Sequence, residues 1–267
     1  MKNLLTIAGS DSSGGAGIQA DLKTFAAHGV FGMSVIAAVT AQNTQAVTAV
    51  QNIDPEIVEA QINAIFDDIV VDGVKIGMLS CPETIHVVAA RLKHYAPPVI
   101  VLDPVMVSKS GYALLQPDAT ATLISELLPL ANLLTPNIPE AEVISGVAIK
   151  NKQDMHLAAQ KIIELGAKAV LVKGGHLDNS ADDYFYDGKV EEWFAGSRVK
   201  TNNTHGTGCT LSSSLAANLA KGMPMNDAIR SAKSYVTKAI KYGFALGSGC
   251  GPTHHFVDLY KKAGFLD

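Results

Sequence analysis

The sequence predicts a layered α/β fold, with a mostly parallel central sheet flanked by helices on both faces. Short runs rich in Val, Ile and Leu alternate with longer segments of helical period, which is the pattern of successive strand and helix units. The short runs are apolar on both faces, as strands covered by helices on both sides require. Turn residues such as Gly, Pro, Asn and Asp separate the two kinds of segment.

Six strands are predicted, and helical segments fill the gaps between and after them. The strands are Leu4–Ala8, Ser34–Thr40, Gly73–Leu79, Val99–Asp103, Asn132–Thr135 and Ala169–Lys173. The helices are Ala16–His28, Pro55–Asp68, Pro82–Tyr95, Asp118–Leu128, Gln153–Leu165, Gly208–Lys221 and Asn226–Tyr242. Several of these helices have Asp, Pro or Gly at the end where each residue is favoured.

Two further segments are expected to modify the sheet. Asp187-Gly188 favours a type I′ turn between Asp182–Tyr186 and Val190–Phe194, which predicts an antiparallel hairpin late in the chain. Gln42–Ile53 is the least regular segment and predicts either a short strand pair or a flap that projects from the sheet. We therefore expect a sheet with a mixed edge.

Composition limits the classes of partner. A chain of 267 residues, 48% of them hydrophobic, can bury one large core, so a single domain spanning 1–267 is expected. The net charge of -4 favours neither nucleic acid nor an anionic membrane as partner. The apolar stretch at the start is too short for a signal peptide, and no apolar run approaches the roughly 18 residues of a membrane span. The three cysteines are far apart and form no Cys-x-x-Cys, which favours a reducing compartment, the cytoplasm.

Polar residues follow most of the predicted strands. They are Gly9–Gly17, Gln42–Thr44, Asp103–Pro104, Asn137 with Glu140, and Lys173–His176. Because ligands of parallel sheets bind at the carboxyl ends of the strands, we expect these residues to form one rim around the functional site.

Several common motifs give weaker interpretations. The segment 15–20, Gly-Ala-Gly-Ile-Gln-Ala, matches a dinucleotide-binding pattern, but Gln42 and Asn43 stand where an acidic ribose ligand is expected. The glycines of this segment could also serve only a tight turn and close helix packing. No P-loop, nucleophile elbow or zinc-protease helix motif occurs. His205 and Cys209 have the spacing of a Cys-His hydrolase only if both are helical, and Gly206 to Gly208 disfavours that.

The segment Gly206-Thr207-Gly208 precedes a long amphipathic helix. The free amides of a first helical turn and the positive end of the helix dipole form an anion site, which suits a phosphoryl group in transfer. Cys209 lies in the same turn, and the alternative is that it is only a small buried hydrophobe. We expect the helix dipole to lower its pKa from about 8.5 and make it a proton acceptor near neutral pH.

The ordered set of motifs carries a family resemblance. The segments are 9–24 (GSDSSGGAGIQADLKT), 41–44 (AQNT), 75–79 (KIGML), 135–140 (TPNIPE), 204–210 (THGTGCT) and 249–255 (GCGPTHH). Over nearly the whole chain the sequence resembles the hydroxymethylpyrimidine/phosphomethylpyrimidine kinases of thiamine synthesis, within the ribokinase-like superfamily. The resemblance implies a ribokinase-like three-layer fold, and two ATP-dependent phosphorylations of one pyrimidine.

The resemblance also implies roles for the rim. Gly206, Thr207 and Gly208 would build the anion hole, and Cys209 stands where most members of the superfamily have an aspartate base. Asn137 belongs to the nucleotide site in the family pattern, and Asp103 and Glu140 would hold Mg²⁺ through waters. Lys173 is expected to reach the phosphates of ATP. The structural alternatives are that Asn137 caps a helix, that Asp103 is a turn residue and that Lys173 is a solvated surface lysine.

Gln42 is the expected pyrimidine ligand. A carboxamide can donate to a ring nitrogen and accept from an exocyclic amino group, and the resemblance agrees. By resemblance alone, Gly9, Asp21 and Met78 also contact the ring, although Asp21 could instead be a charge of the first helix. The rival functions are a pyridoxal or pyridoxine kinase of the same superfamily and a nonenzymatic pyrimidine-binding protein. A homodimer is left open.

Overall fold

The computed structural model describes residues 1–108, 111–116, 118–175 and 181–266. In these residues the strands form one sheet, in the order β3-β2-β1-β4-β5-β6-β7-β8-β9. The strands are β1 Asn3–Asp11, β2 Phe31–Gln42, β3 Val47–Asn52, β4 Gly73–Ile76, β5 Ile100–Leu102, β6 Leu133–Leu134, β7 Val170–Val172, β8 Asp183–Tyr186 and β9 Glu191–Phe194. Neighbours from β2 to β7 are parallel, whereas β3, β8 and β9 are antiparallel to theirs. The mixed edge is therefore confirmed, and the segment after Gln42 forms one strand, β3, which pairs with β2.

Helices cover both faces of the sheet. They are α1 Gly17–Ala27, α2 Pro55–Phe66, α3 Pro82–Tyr95, α4 Ala119–Thr122, α5 Ile138–Ser145, α6 Lys152–Glu164, α7 Thr207–Ala220, α8 Met225–Lys241 and α9 Val257–Lys262. One apolar cluster joins the sheet to α1, α7 and α8, including Phe25 and Leu215. A second cluster joins the opposite face to α2, α3 and α6, including Ile62 and Ile162. The result is three layers, helix on sheet on helix.

One predicted helix is wrong in type over most of its length. Only Ala119–Thr122 is α-helical, and a π turn at Leu123–Leu127 and a 3₁₀ turn at Leu128–Leu130 follow. Pro129 has no amide hydrogen to donate, so a regular α-helix cannot continue through it. The short α9 was not predicted, because six residues are too few to show a helical period.

The order in which the strands and helices are connected predicts which edge of the sheet holds the site. The chain leaves β1 through α1 on one face and reaches β4 through α2 on the other, so the crossovers diverge beside β1. Such a divergence opens a crevice at the carboxyl ends of the parallel strands. Within the described ranges, no helix is both long enough and apolar enough to cross a membrane.

Candidate active site

The loop after β1 is folded around the carboxylate of Asp11. Its Oδ1 atom accepts hydrogen bonds from the amide and hydroxyl of Ser13, both at 2.8 Å. Its Oδ2 atom accepts the amide of Ala16 at 2.8 Å and that of Gly15 at 3.2 Å. Asp11 is 3% exposed. An aspartate side chain that accepts hydrogen bonds from the amides that follow it in the sequence stabilises a tight turn. These bonds therefore fix the conformation of the loop up to the start of α1.

The same carboxylate binds the segment that leads into α7. Nε2 of His205 lies 2.8 Å from Oδ2 of Asp11. A Cβ atom on Gly15 would lie 2.2 Å from Cδ2 of His205, and one on Gly206 would lie 1.8 Å from the carbonyl oxygen of Gly15. Only glycine therefore permits this approach of the two loops. Burial alone would raise the pKa of Asp11, but hydrogen bonds from His205, Ser13 and Ala16 hold it below its usual value.

The first turn of α7 presents backbone donors to the rim. Gly206 caps the helix in the left-handed conformation, with φ of 77°. The amide of Thr210 bonds to the Gly206 carbonyl, whereas those of Gly208 and Cys209 have no backbone acceptor among the described residues. These are the amides that a helix start offers to an anion.

A buried ion pair lies directly against this turn. Nζ of Lys173 is 2.8 Å from Oδ1 of Asp103, and a Cβ atom on Gly208 would lie 3.5 Å from both side chains. Thr135 donates to Asp103 at 3.2 Å. Burial alone would raise the pKa of Asp103, but the ammonium groups of Lys173 and Lys75 hold it below its usual value. Burial alone would likewise lower the pKa of Lys173, yet Asp103 and Glu140 raise it. Both groups are therefore charged.

Asn137 and Glu140 form a capping box at the start of α5. The Asn137 side chain accepts the amide of Glu140 at 2.9 Å, and the Glu140 carboxylate accepts the amide of Asn137 at 2.8 Å. The structural alternative for Asn137 is thus observed, and it leaves a nucleotide or metal role as a prediction. Burial first, and then the negative charge of Asp103, raise the pKa of Glu140 to about 7, although Lys173 opposes them. Among described residues, no three His, Cys, Asp or Glu side chains group closely enough to hold a metal by themselves.

The expectation for the thiol of Cys209 is wrong. Burial raises its pKa to about 11, and the charges of Asp21 and Asp103 add to this. The ammonium of Lys75 and the backbone amide of Gly17 lower it, but by less. Position in the first turn of a helix is therefore outweighed by removal from water, and Cys209 is a neutral thiol near pH 7 in the unliganded protein.

Gln42 lies at the end of β2, facing the segment that leads into α7. Its Oε1 accepts the hydroxyl of Thr40 at 3.1 Å, and its Nε2 lies 3.4 Å from Nε2 of His205. The hydroxyl of Ser12 donates to the Gln42 carbonyl at 2.8 Å and accepts its amide at 2.9 Å. Met78 packs over β1, since a Cβ atom on Gly9 would lie 2.7 Å from its Cε. Gly9 and Met78 therefore lie against each other, whereas Gln42 lies beside His205.

The structure places Asp21 beneath the site rather than at its surface. The residue is fully buried, and its carboxylate binds the hydroxyls of Thr6 at 2.6 Å and Ser213 at 2.7 Å. It also pairs with Nζ of Lys75 at 2.9 Å. The carboxylate of Asp21 is therefore not exposed for the expected contact with a ring, because this face of α1 packs against α7 and β4.

Sequence reasoning missed three side chains of this region. Asp11 and His205 were given no role, and Lys75 was treated only as part of a motif. Two signals were available: an Asp ahead of Ser-Ser-Gly-Gly is typical of a side-chain-stabilised turn, and a lysine inside an apolar, doubly covered strand requires a buried partner. His176, placed in the expected rim, lies outside the described residues.

The comparisons with known proteins agree with this geometry. A family model described as phosphomethylpyrimidine kinase matches residues 11–254. A hydroxymethylpyrimidine/phosphomethylpyrimidine kinase of Rhizobium meliloti is 54% identical over 261 residues, covering 96% of this chain and 98% of the relative. The chain belongs to the phosphomethylpyrimidine kinase family. The predicted family and kinase class are thereby confirmed.

Solved structures support the fold at high identity. The crystal structure of a phosphomethylpyrimidine kinase from Clostridium difficile is 50% identical, with a TM-score of 0.82, and covers 90% of this chain and 100% of that one. The ADP complex of Bacillus subtilis pyridoxal kinase is 42% identical, with a TM-score of 0.89, and covers 96% and 98%. The predicted ribokinase-like three-layer fold is confirmed. The similarity to both proteins leaves the acceptor to be argued from the site.

Proposed function

We propose that this chain transfers the γ-phosphoryl group of ATP to 4-amino-5-hydroxymethyl-2-methylpyrimidine, and then phosphorylates the monophosphate to the diphosphate, in thiamine diphosphate biosynthesis. The observation that carries the proposal is the meeting of the α7 start with the Asp103 and Lys173 pair, each within 3.5 Å of a Cβ position on Gly208. Phosphoryl transfer needs positioning and charge neutralisation more than covalent chemistry. This edge of the sheet concentrates groups that provide both.

The phosphate end combines amides with a cation. Gly206 sets the turn, and the amides around Thr207, Gly208 and Cys209 receive the charge that develops on the transferred group. Lys173 binds the phosphates of ATP as a point charge, and Asn137 contributes to the nucleotide site beside it. The short distance from Lys173 to Asp103 fixes the ammonium against the turn.

The carboxylates of Asp103 and Glu140 are the proposed holders of Mg²⁺. Mg²⁺ in kinases is held by one or two carboxylates together with waters and phosphate oxygens, so a pair without a third protein ligand fits the ion. When bound, Mg²⁺ would neutralise charge on the phosphates of ATP. The capping box holds one oxygen of the Glu140 carboxylate on the backbone amide of Asn137.

Cys209 is the proposed acceptor of the hydroxymethyl proton. Cys209 first gives its own thiol proton to solvent. The thiolate then accepts the proton of the alcohol, while the alcohol oxygen forms its bond to phosphorus and the bond from phosphorus to ADP breaks. The monophosphate is already ionised near neutral pH, so the second phosphorylation needs this proton transfer far less. A thiol whose pKa is raised to about 11 requires positive charge nearby to serve in this way.

Gln42 is proposed to bind the pyrimidine edge, with Met78 over the ring and Gly9 leaving room for it. The backbone bonds from Ser12 fix Gln42, and Thr40 orients its carbonyl. Asp21 contributes from below rather than by contact. These residues lie opposite the α7 start, which suits a ring whose hydroxymethyl group points toward the phosphates.

Pyridoxal is the second candidate acceptor, because a pyridoxal kinase is among the similar structures. The test measures ADP formation with hydroxymethylpyrimidine, its monophosphate and pyridoxal as separate acceptors. We expect the largest kcat/KM with the pyrimidines. Markedly faster pyridoxal turnover would establish the second candidate, and no ADP with any acceptor would refute kinase activity.

We further propose that residues 1–267 act as a single kinase domain in the cytoplasm. All three cysteines are free, which supports a reducing compartment. A homodimer remains a prediction, and the oligomeric mass measured by light scattering tests it.

A further inference from the structure

Lys75 is a fully buried cation in the middle of the sheet. It lies on β4 with no exposed surface. Its ammonium group can donate three hydrogen bonds, and among the described residues its hydrogen-bond acceptor is Oδ2 of Asp21, at 2.9 Å. Burying a charge this deeply costs free energy unless the charge is well paired. Because only one acceptor is present in the described part of the chain, the other N–H groups of the Lys75 ammonium remain available to a further anion.

The pair lies one helical turn below the sulfur of Cys209. Ser213 follows Cys209 by four residues on α7, so the two share a face of the helix, and Ser213 donates to Asp21 at 2.7 Å. Asp21 follows Gly17 by four residues on α1, and the backbone amide of Gly17 lies close enough to the sulfur of Cys209 to lower the pKa of the thiol. Both α1 and α7 therefore place the sulfur of Cys209 about one helical turn from the ion pair of Asp21 and Lys75.

The ammonium of Lys75 is directed along β4 toward the functional edge. A Cβ atom on Gly77, two residues nearer that edge, would lie 2.8 Å from Nζ and 3.0 Å from Cβ of Ala8. A glycine is thus what leaves room for the lysine head group at this level.

We propose that Lys75 is a positioning residue that stabilises the Cys209 thiolate form during phosphorylation of the alcohol. The inference rests on the proposed function, and it identifies Lys75 as the cation that allows Cys209 to act as the base. Cys209 first gives its thiol proton to solvent. The oxygen–hydrogen bond of the alcohol then breaks and its proton passes to the thiolate sulfur, while the alcohol oxygen bonds to phosphorus. The bond from phosphorus to ADP breaks, and its electron pair leaves with ADP. Lys75 keeps its proton throughout.

The charges around the sulfur agree with this assignment. The charged groups that face it are Lys75 from β4, Asp21 from α1, Asp103 after β5 and Lys173 after β7. After burial, Lys75 has the largest effect on the pKa of Cys209, and it lowers that pKa. Burial alone would lower the pKa of Lys75, but Asp21, Cys209 and Asp103 raise it, so the lysine is a permanent cation.

The first test neutralises the pair. Lys75→Met combined with Asp21→Asn removes both charges and leaves no unpaired carboxylate. The alkylation rate of Cys209 by iodoacetamide, followed by mass spectrometry of its peptide, is measured against pH. Lys75 lowers the pKa of Cys209 by more than Asp21 raises it, so the loss of Asp21 offsets only part of the loss of Lys75. We therefore expect the profile to move upward by about half a unit, a roughly threefold drop in thiolate at a given pH. We also expect about a threefold loss of kcat with the alcohol and little change with the monophosphate. Lys93→Met, at an exposed lysine, is the matched control.

A second variant has the opposite expected sign. Asp21→Asn alone keeps one oxygen as the acceptor for Thr6 and Lys75, and its amide nitrogen can donate to the hydroxyl oxygen of Ser213. The variant removes the negative charge, so Cys209 should become alkylated at lower pH than in the wild type. This arm remains informative if the double variant does not fold. Alkylation also requires no substrate, so it stands apart from the acceptor test. Unchanged alkylation profiles in the folded variants would overturn the role of Lys75.

Discussion

Nε2 of His205 lies 2.8 Å from Oδ2 of Asp11, although the two residues are 194 positions apart in the chain. This contact joins the loop after β1 to the anion-binding turn before α7. His205 is held from the other side too, because its amide donates to the carbonyl of Gly251 at 3.0 Å. With Gln42 3.4 Å away, His205 lies between the loop after β1, the end of β2 and the start of α7.

We expect Asp11→Asn to lower both activity and stability. An amide nitrogen in place of Oδ2 would face the donors of Ala16 and His205, and loss of a hydrogen bond to a charged group costs about 1.5 to 3 kcal/mol. Urea unfolding and kcat/KM for both acceptors measure the two effects. His205→Gln keeps a donor toward Asp11 and should lose less of each. Wild-type stability and activity in Asp11→Asn would show that the contact does not hold the site together.

His255 should make the protein less stable as pH decreases from about 6.5 to 4, whereas Glu140, whose pKa is raised to about 7, acts in the opposite direction between about pH 7 and 4.5. Burial lowers the pKa of this histidine to about 4, and its Nε2 lies 3.1 Å from Oγ1 of Thr210. Between those pH values the unfolded chain binds a proton that the folded protein does not, so acid favours unfolding by up to about 3 kcal/mol. Urea midpoints of the wild type at several pH values measure the slope.

His255→Gln should flatten that dependence without changing the fold, since glutamine can still bond to Thr210. A residual slope is expected from His28, whose pKa burial also lowers. His94→Gln, at an exposed position, is the control and should leave the slope as it is. A slope in His255→Gln equal to that of the wild type would contradict the assignment.

Gln42→Leu should weaken pyrimidine binding and nearly preserve ATP binding. Leucine keeps the size of the side chain but neither donates nor accepts a hydrogen bond, and such a loss at a site built for polar groups costs about 1 to 3 kcal/mol. Calorimetry with each ligand separately gives the two affinities. Gln45→Leu changes an exposed glutamine of the same hairpin and should alter neither. Unchanged pyrimidine affinity in Gln42→Leu would remove the residue from the site.

Glu140→Gln should raise the Mg²⁺ concentration needed for half-maximal rate. Glutamine at this position still completes a capping box with Asn137, so α5 should be retained. The lost negative charge is the one expected to hold the ion. Rates over a Mg²⁺ titration, with thermal unfolding as the check on α5, measure this. An identical Mg²⁺ dependence in a stable variant would exclude Glu140 as a ligand.

Much of the rim could be predicted from the sequence, because its residues lie close in the chain to recognisable helix and turn signals. Cys209, Gly206 and Gln42 stand at the ends of elements whose periods and turn residues lie within a few positions of them. The helix cap at Asn137 is equally local, since both of its hydrogen bonds join residues three apart. Because such patterns depend on residues that are near one another in the chain, they can be recognised from the sequence.

The sequence alone determined the alternation of strands and helices, the polar edge at the strand ends and the family. The three-dimensional packing decided what each charged group does there. Asp21 and Lys75 are 54 positions apart, and their pairing beneath Cys209 depends on how α1, α7 and β4 meet. The pKa of Cys209 was misjudged for the same reason: a helix start is visible locally, whereas the burial that outweighs it comes from elements far away in the chain.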